Sequence, residues 1–177
     1  MKQQVSIQLH GTPCGTLVLG SADDELCLCD WNGKPCAGRN MGRIGRMLDA
    51  ELREEPSSVI CRAKEQIDEY FSGARTVFDL PLRPVGTSFQ LRVWQALLEI
   101  PFGQTLTYKD LAQRAGNPKG VRAVAQAIGA NGIGIIIPCH RVVGSDGSLT
   151  GFAGGLDIKR RLLELEGQLP TQRSLFG

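Results

Sequence analysis

The chain has 177 residues, is 42% hydrophobic and 21% charged, and carries a formal net charge of +2. These values fit one domain or two small lobes and exclude wholesale disorder, collagen and coiled coil. No apolar run approaches the roughly 20 residues of a membrane helix. Residues 1–9 lack an apolar core followed by a cleavage site, so the cytoplasm is the expected compartment. There, the six cysteines stay reduced, and no disulfide framework is expected. The charge is uneven: residues 1–85 carry −2 and residues 86–177 carry +4. A mildly basic second half is compatible with a polyanionic partner without establishing one.

In chain order, Val5–Leu9 alternates with the strand period, and residues 16–20 and 26–31 are further short strand candidates, with Gly11, Pro13, Gly15 and Asp23-Asp24 as turn signals between them. Ile44, Met47, Leu48, Glu51 and Leu52 recur at helical spacing, as do Val59, Ile60, Ala63, Ile67, Tyr70 and Phe71, with Gly73 as a C-cap. The segment 77–86, with Pro81 and Pro84, breaks helix on both sides. It separates an N-terminal α/β lobe, 1–85, from a C-terminal domain, 86–177.

In that domain Thr87 and Gln90 read as a capping box ahead of Phe89, Val93, Trp94, Leu97 and Leu98. Thr107 and Asp110 repeat the pattern before Leu111, Ala112 and Ala115. Gly116-Asn117-Pro118 then makes a turn, and a second helix runs from about Lys119 to Ala130. Two short helices joined by a glycine turn spell helix-turn-helix. Apart from Lys119, Arg122 and Gln126 the second helix is small or apolar, leaving little to read base edges with. It fits tight packing against another helix, or close approach to a nucleic-acid groove with Arg122 projecting into it.

After Asn131, three consecutive isoleucines preceded by glycines predict a buried strand ended by Pro138, with Cys139, His140 and Arg141 just beyond it. Cys14, Cys27, Cys29, Cys36 and Cys61 read as inert small hydrophobes. Cys139 differs, because neighbouring cations raise a thiol's thiolate fraction. No CxxC pair exists and His10 lies far from His140, so no metal site is expected. Gly151–Leu156 is a glycine loop feeding an amphipathic helix with Ile158, Leu162 and Leu165 inward. Glu166, four residues after Leu162, shares that face, either capping the helix end or orienting His140. The latter completes a nucleophile–base–orienter relay.

Residues 137–143 (IPCHRVV), 151–156 (GFAGGL) and 162–167 (LLELEG), with Phe89, Trp94, Pro101-Phe102-Gly103, Tyr108, Gly116-Asn117-Pro118 and Arg122-Ala123-Val124, resemble the O6-alkylguanine-DNA alkyltransferases of the stand-alone bacterial type. The resemblance covers Gly86 to Gly167 in order. It implies a ribonuclease-H-like N-terminal lobe followed by a helix-turn-helix alkyltransferase domain, α/β (α+β) overall. It implies a cytoplasmic DNA-repair enzyme that needs no cofactor and no metal. Such an enzyme flips O6-alkylguanine, with O4-alkylthymine a second candidate, out of duplex DNA and moves the alkyl group to Cys139 in one in-line displacement, once per molecule. A monomer is implied, with cooperative binding along DNA as a further expectation.

By the same resemblance His140 is the base acting through a water, Glu166 stands behind it, and Asn131 bridges the helix-turn-helix to the active loop. Tyr108 crowds the target's 3′ phosphate and reaches the guanine ring. Arg122 fills the gap in the stack, with Ala123 and Gln126 on the same DNA-facing helix. The carbonyls of Cys139 and Val142 take the guanine amino group, the Ala153 amide faces O6, and Phe152 covers the pocket. Phe152 replaces the family's usual tyrosine. Gly132 stands where a proline commonly follows the asparagine, so a looser loop is expected there. A cysteine hydrolase would use the same Cys–His pair but leaves the helix-turn-helix unexplained. A pure lesion-binding protein has no use for Cys139.

Overall fold

The computed structural model describes residues 2–169. The chain forms two compact units, one from the described residues up to Thr87 with Gly132–Ile136, the other from Ser88–Asn131 with the described residues from Ile137 onward. The chain leaves the second unit after Asn131 and returns to it at Ile137.

In the first unit, β1 (Gln3–Thr12), β2 (Gly15–Ala22) and β3 (Glu25–Trp31) form an antiparallel meander. Asp23 and Asp24 make the two-residue β2–β3 turn with φ of 50° and 63°. Positive φ at both central positions gives the turn twist that matches paired strands, and Asp tolerates it. Helix α1 (Pro35–Met47) leads to β4 (Ala50–Glu54), which pairs parallel with β1, giving the order β3-β2-β1-β4. The expected helical run through Leu52 is corrected here. The chain reverses at Asp49, φ 47°, and Leu52 reaches the core of Val5, Val18, Leu28, Ala37 and Ile44 from a strand. Helix α2 (Ser58–Ser72) is capped by the Ser57 side chain, which accepts from Ile60 N, and closes on left-handed Gly73.

The outer edge of β3 is covered twice. Leu82 bridges Leu26, and Ile133 bridges Cys29, so few ladder groups remain open to a stray strand. Residues 131–138 are buried as expected, but they are not a strand. Ile136 N donates to Gly134 O at 2.7 Å across Ile135, whose φ is 68°, a tight γ-turn that strains a β-branched residue. The loop is not loose at Gly132 either: Gly132 O accepts from Cys29 N at 2.8 Å, and Gly134 N donates to Cys29 O at 2.7 Å. A Cβ on Gly134 would lie 3.3 Å from that carbonyl oxygen, so the close approach selects glycine.

The second unit is helical. In α3 (Ser88–Leu98), Val93, Trp94, Ala96 and Leu97 are buried. Strand β5 (Leu106–Thr107) pairs parallel with β6 (Val142–Val143). Helices α4 (Tyr108–Arg114) and α5 (Val121–Gly129) flank the glycine turn, and α6 (Leu156–Leu165) ends at Glu166. The Thr107 hydroxyl accepts from Asp110 N, capping α4. The Trp94 indole donates to Ala127 O at 2.8 Å, fixing α5 to α3. Among the described residues no helix is long and apolar enough to cross a membrane.

Candidate active site

The site grows from one tight turn. Pro138, φ −82° and ψ 64°, sits in an inverse γ-turn closed by Cys139 N donating to Ile137 O at 2.8 Å. Residues Cys139–Arg141 then form a single 3₁₀ turn. The backbone turns here, so Cys139 and His140 escape the opposite-face alternation that a strand would impose. Asn131 Nδ2 donates to the same Ile137 carbonyl at 2.9 Å, which ties the end of α5 to the start of the turn.

His140 is 0% exposed. Its Nε2 lies 2.7 Å from Glu166 Oε2. A carboxylate only accepts, so Nε2 carries the proton and donates, and Nδ1 is the bare nitrogen. Nδ1 is buried and has no hydrogen-bond partner among the described residues. Burial is the largest influence on His140 and lowers its pKa from 6.5; Glu166 pushes it back up, while Arg141 and Lys159 push it down. The imidazole is therefore neutral and able to accept a proton at neutral pH. The folded value lies below the unfolded one, so stability falls as pH drops below about 6.5, where only the unfolded chain takes up the proton. A lower urea midpoint at pH 5.5 than at pH 7 is expected.

Glu166 serves a second partner. Arg141 Nε donates to Oε1 at 2.7 Å and Arg141 Nη2 to Oε2 at 3.2 Å, while Nη1 donates to Ile100 O at 2.6 Å. The inward carboxylate is thus paired rather than merely ending the helix. Sequence reasoning took Arg141 for a thiol-activating cation and missed this clamp. It also missed Lys159, which is buried although Ile158 and Leu165 were expected inward; those two are only half-buried. The signal was present: Lys159, Leu162, Leu163 and Glu166 recur at i, i+3, i+4 and i+7.

A second chain of bonds leaves the turn on its other side. Val142 N donates to Cys139 O, Val142 O accepts from Lys159 Nζ at 2.6 Å, and Nζ also donates to Thr150 O at 2.8 Å. The Tyr108 hydroxyl donates to that same Thr150 oxygen at 2.8 Å. Burial raises the Tyr108 pKa, so it stays a neutral donor. The structure thus joins Cys139, His140, Glu166, Asn131, Val142 and Tyr108 through one turn. Arg122, Ala123 and Gln126 lie on the exposed face of α5, whose other face buries Val124, Ala127 and Ile128. Phe152 is half-buried and Ala153 exposed in the glycine loop. None of the six cysteines is in a disulfide, and burial pushes Cys27 up to about 12 and Cys36 up to about 11, which keeps both protonated and unreactive.

An exposed small-residue helix in a helix-turn-helix and, in the same unit, a buried cysteine beside an oriented imidazole define a DNA-binding protein with a nucleophilic thiol. Residues 88–168 match the family model for the 6-O-methylguanine DNA methyltransferase DNA-binding domain. A constitutive methylated-DNA–protein-cysteine methyltransferase of Bacillus subtilis is 40% identical over 161 residues, 88% of this chain and 91% of its own. One from Methanosarcina barkeri is 59% identical over 104 residues, spanning 59% of this chain and 66% of its own length. The crystal structure of the Mycobacterium tuberculosis O6-methylguanine methyltransferase aligns with a TM-score of 0.77 at 37% identity, covering 98% of this chain and 99% of that one. Mycobacterium tuberculosis OGT in complex with DNA aligns equally well, with a TM-score of 0.77 at 36% identity over the same shares of both chains. The chain belongs to the methylated-DNA–protein-cysteine methyltransferase family, and its second unit is a DNA-binding domain.

Proposed function

We propose that this protein repairs duplex DNA by moving the alkyl group of O6-alkylguanine onto Cys139, one group per molecule. The observation that carries the reading is the imidazole of His140: Glu166 holds its Nε2 proton and leaves a bare, buried Nδ1 on the residue next to the thiol. In the proposed step Nδ1 takes the thiol proton across a water. The sulfur electron pair forms a bond to the alkyl carbon as the carbon–O6 bond breaks, and the guanine leaves with the released pair and regains a proton. The product is a thioether, which no described group is placed to cleave, so the protein ends alkylated.

A base inside a duplex cannot reach a buried sulfur, so the nucleotide is extruded at a cost of a few kcal/mol. The exposed face of α5 supports this role: Ala123 and Gly129 permit close approach, Arg122 supplies a cation to fill the stack, and little is present to read sequence. Tyr108, Val142, Phe152 and Ala153 are assigned to holding and covering the flipped base, and Asn131 to bridging the helix-turn-helix to the active turn. The protein acts as a monomer in the cytoplasm, and affinity from phosphate contacts weakens as salt rises.

The test is intact mass after incubation with excess duplex carrying one O6-methylguanine. A single methyl, about 14 Da, localised to Cys139 and saturating at one per protein, is the expected result of the thiolate acting as nucleophile. Restored guanine with no added mass would mean turnover and sink the reading. Arg122→Ala should slow transfer from duplex about tenfold or more by weakening extrusion, and lower the salt slope of binding by about one. Its reaction with the free O6-alkylguanine base should be unchanged, and stopped-flow comparison of the two substrates checks this.

A further inference from the structure

Gly132 is not among the glycines of positive φ, so its own backbone does not require glycine. Its neighbours do. A Cβ there would lie 3.3 Å from Arg43 Nη2 and 3.5 Å from Asn40 Cγ. Two polar side chains of α1 thus stand against the bare, buried backbone of Gly132. Asp30 on β3, 5% exposed, organises them. Its Oδ2 accepts from Asn40 Nδ2 at 2.6 Å, while Oδ1 accepts from Trp31 N at 2.8 Å and from Cys36 Sγ at 3.3 Å. Cys36, Asn40 and Arg43 recur at i, i+4 and i+7 and so share one face of α1. Arg43 Nε donates to Val85 O at 2.9 Å, which sets the direction of the guanidinium. Burial lowers the Arg43 pKa and the Asp30 charge raises it, and a guanidinium so placed stays protonated. A buried charged network of this kind adds less stability than an apolar core of the same shape. What it supplies is fixed direction. All of these contacts lie within the first unit.

The gripped backbone opens the stretch Gly132–Ile136, which carries the chain from Asn131 to Ile137. That stretch is strained at Ile135, φ 68°, and a strained residue persists only while its surroundings over-determine it. Cys29 holds the backbone through Gly132 O and Gly134 N, and Asn40 and Arg43 close on Gly132 from α1. The residues at the two ends, Asn131 and Ile137, are the donor and acceptor of the bond that begins the active turn. The Ile137 carbonyl also accepts from Cys139 N. We propose that Asn40 and Arg43, set in place by Asp30, are positioning residues for alkyl transfer: they grip Gly132, keep the strained stretch kinked, and so fix the Ile137 carbonyl to which the Cys139 turn is bonded. The inference rests on the assignment of Cys139 as acceptor. A network that only packed α1 onto the sheet would change stability and leave the rate at the sulfur alone.

The test compares the full-length native protein with Arg43→Met, Gly132→Ala and the double variant, well below the Tm of each. Single-turnover transfer at saturating O6-methylguanine duplex, duplex affinity and amide hydrogen exchange of the 132–139 peptide are measured together. Arg43→Met should slow transfer at saturation about tenfold, as misplacement by a fraction of an ångström does. Exchange across 132–139 should quicken about tenfold as the stretch opens locally. Duplex affinity should stay within about twofold, since phosphate contacts set it. Gly132→Ala disturbs the same contact from the other side and should slow transfer about fivefold. Because both changes break one contact, the double variant should be no slower than the slower single.

A lowered Tm in Arg43→Met with native transfer rate and native exchange across 132–139 means a purely structural role and overturns the proposal. Slowing in the double variant equal to the product of the two single effects overturns it as well. Where Arg43→Met does not fold, Gly132→Ala decides, and native rate and exchange in that variant overturn it. Faster exchange in the variants, with no alkyl group accepted by the native protein from any duplex, would leave the grip on Gly132 standing and remove the reading of Cys139 on which its purpose rests.

Discussion

Cys139→Ser is expected to abolish alkyl acceptance completely while leaving duplex affinity within about twofold, because phosphate contacts set affinity and the thiolate does the chemistry. A serine hydroxyl next to His140 keeps the hydrogen-bonding shape, but its proton is held far more tightly than a thiol's and a single neutral imidazole does not make it a comparable nucleophile. The residue is buried and lies off the exposed face of α5, so its loss does not touch Arg122, Ala123 or Gln126. Gel-shift affinity and intact mass on the same preparation check the two halves. A protein that merely senses lesions would lose nothing in either assay, and a hydrolase would still be blocked but would show ester turnover in the native form. The control is Cys61→Ser: Cys61 is the exposed thiol, and its loss should leave transfer at Cys139 unchanged. Methyl found on Cys61 in place of Cys139 would reassign the acceptor.

The elements whose signals are local were readable from the residues alone. The β1–β3 meander carries its turns in Asp23-Asp24 and Gly15, α2 carries Ser57 and Gly73 at its ends, and the helix-turn-helix carries Thr107 and Gly116. The failures share a physical cause: pairing or packing with distant residues overrode local pattern. Leu52 fits a helical period, but its position is set by parallel pairing with Val5. The isoleucine run reads as a strand because it is apolar, yet each residue is buried by a loop that docks on Cys29 and kinks at Ile135. At the site, Cys139, His140 and Glu166 were readable together because the inward carboxylate on α6 is unusual. Lys159 was passed over because lysine is assumed to face water, although its spacing placed it on the same face. Buried charges with a purpose are the places where composition-based expectation fails, and they coincide here with the chemistry.

Glu166→Gln should cost both stability and rate, and the two losses should separate. Among the described residues the carboxylate is the anion paired with the buried Arg141 guanidinium, and it also fixes the His140 proton. Glutamine keeps the shape and one acceptor oxygen but removes the charge, leaving Arg141 buried without a countercharge. Breaking a buried pair in this way costs about 3 kcal/mol or more, which for a protein of this size lowers Tm by roughly 6–12 °C. The amide also no longer stabilises an imidazolium, so His140 becomes a weaker base and transfer should slow by about 100-fold. Adding Arg141→Met removes the orphaned cation, and much of the stability should return. The rate should not, because nothing has been restored behind His140. Calorimetry and single-turnover kinetics on the single and double variants make the distinction. Recovery of both quantities together would mean that Glu166 acts only by holding Arg141, and that His140 needs no carboxylate to do its work.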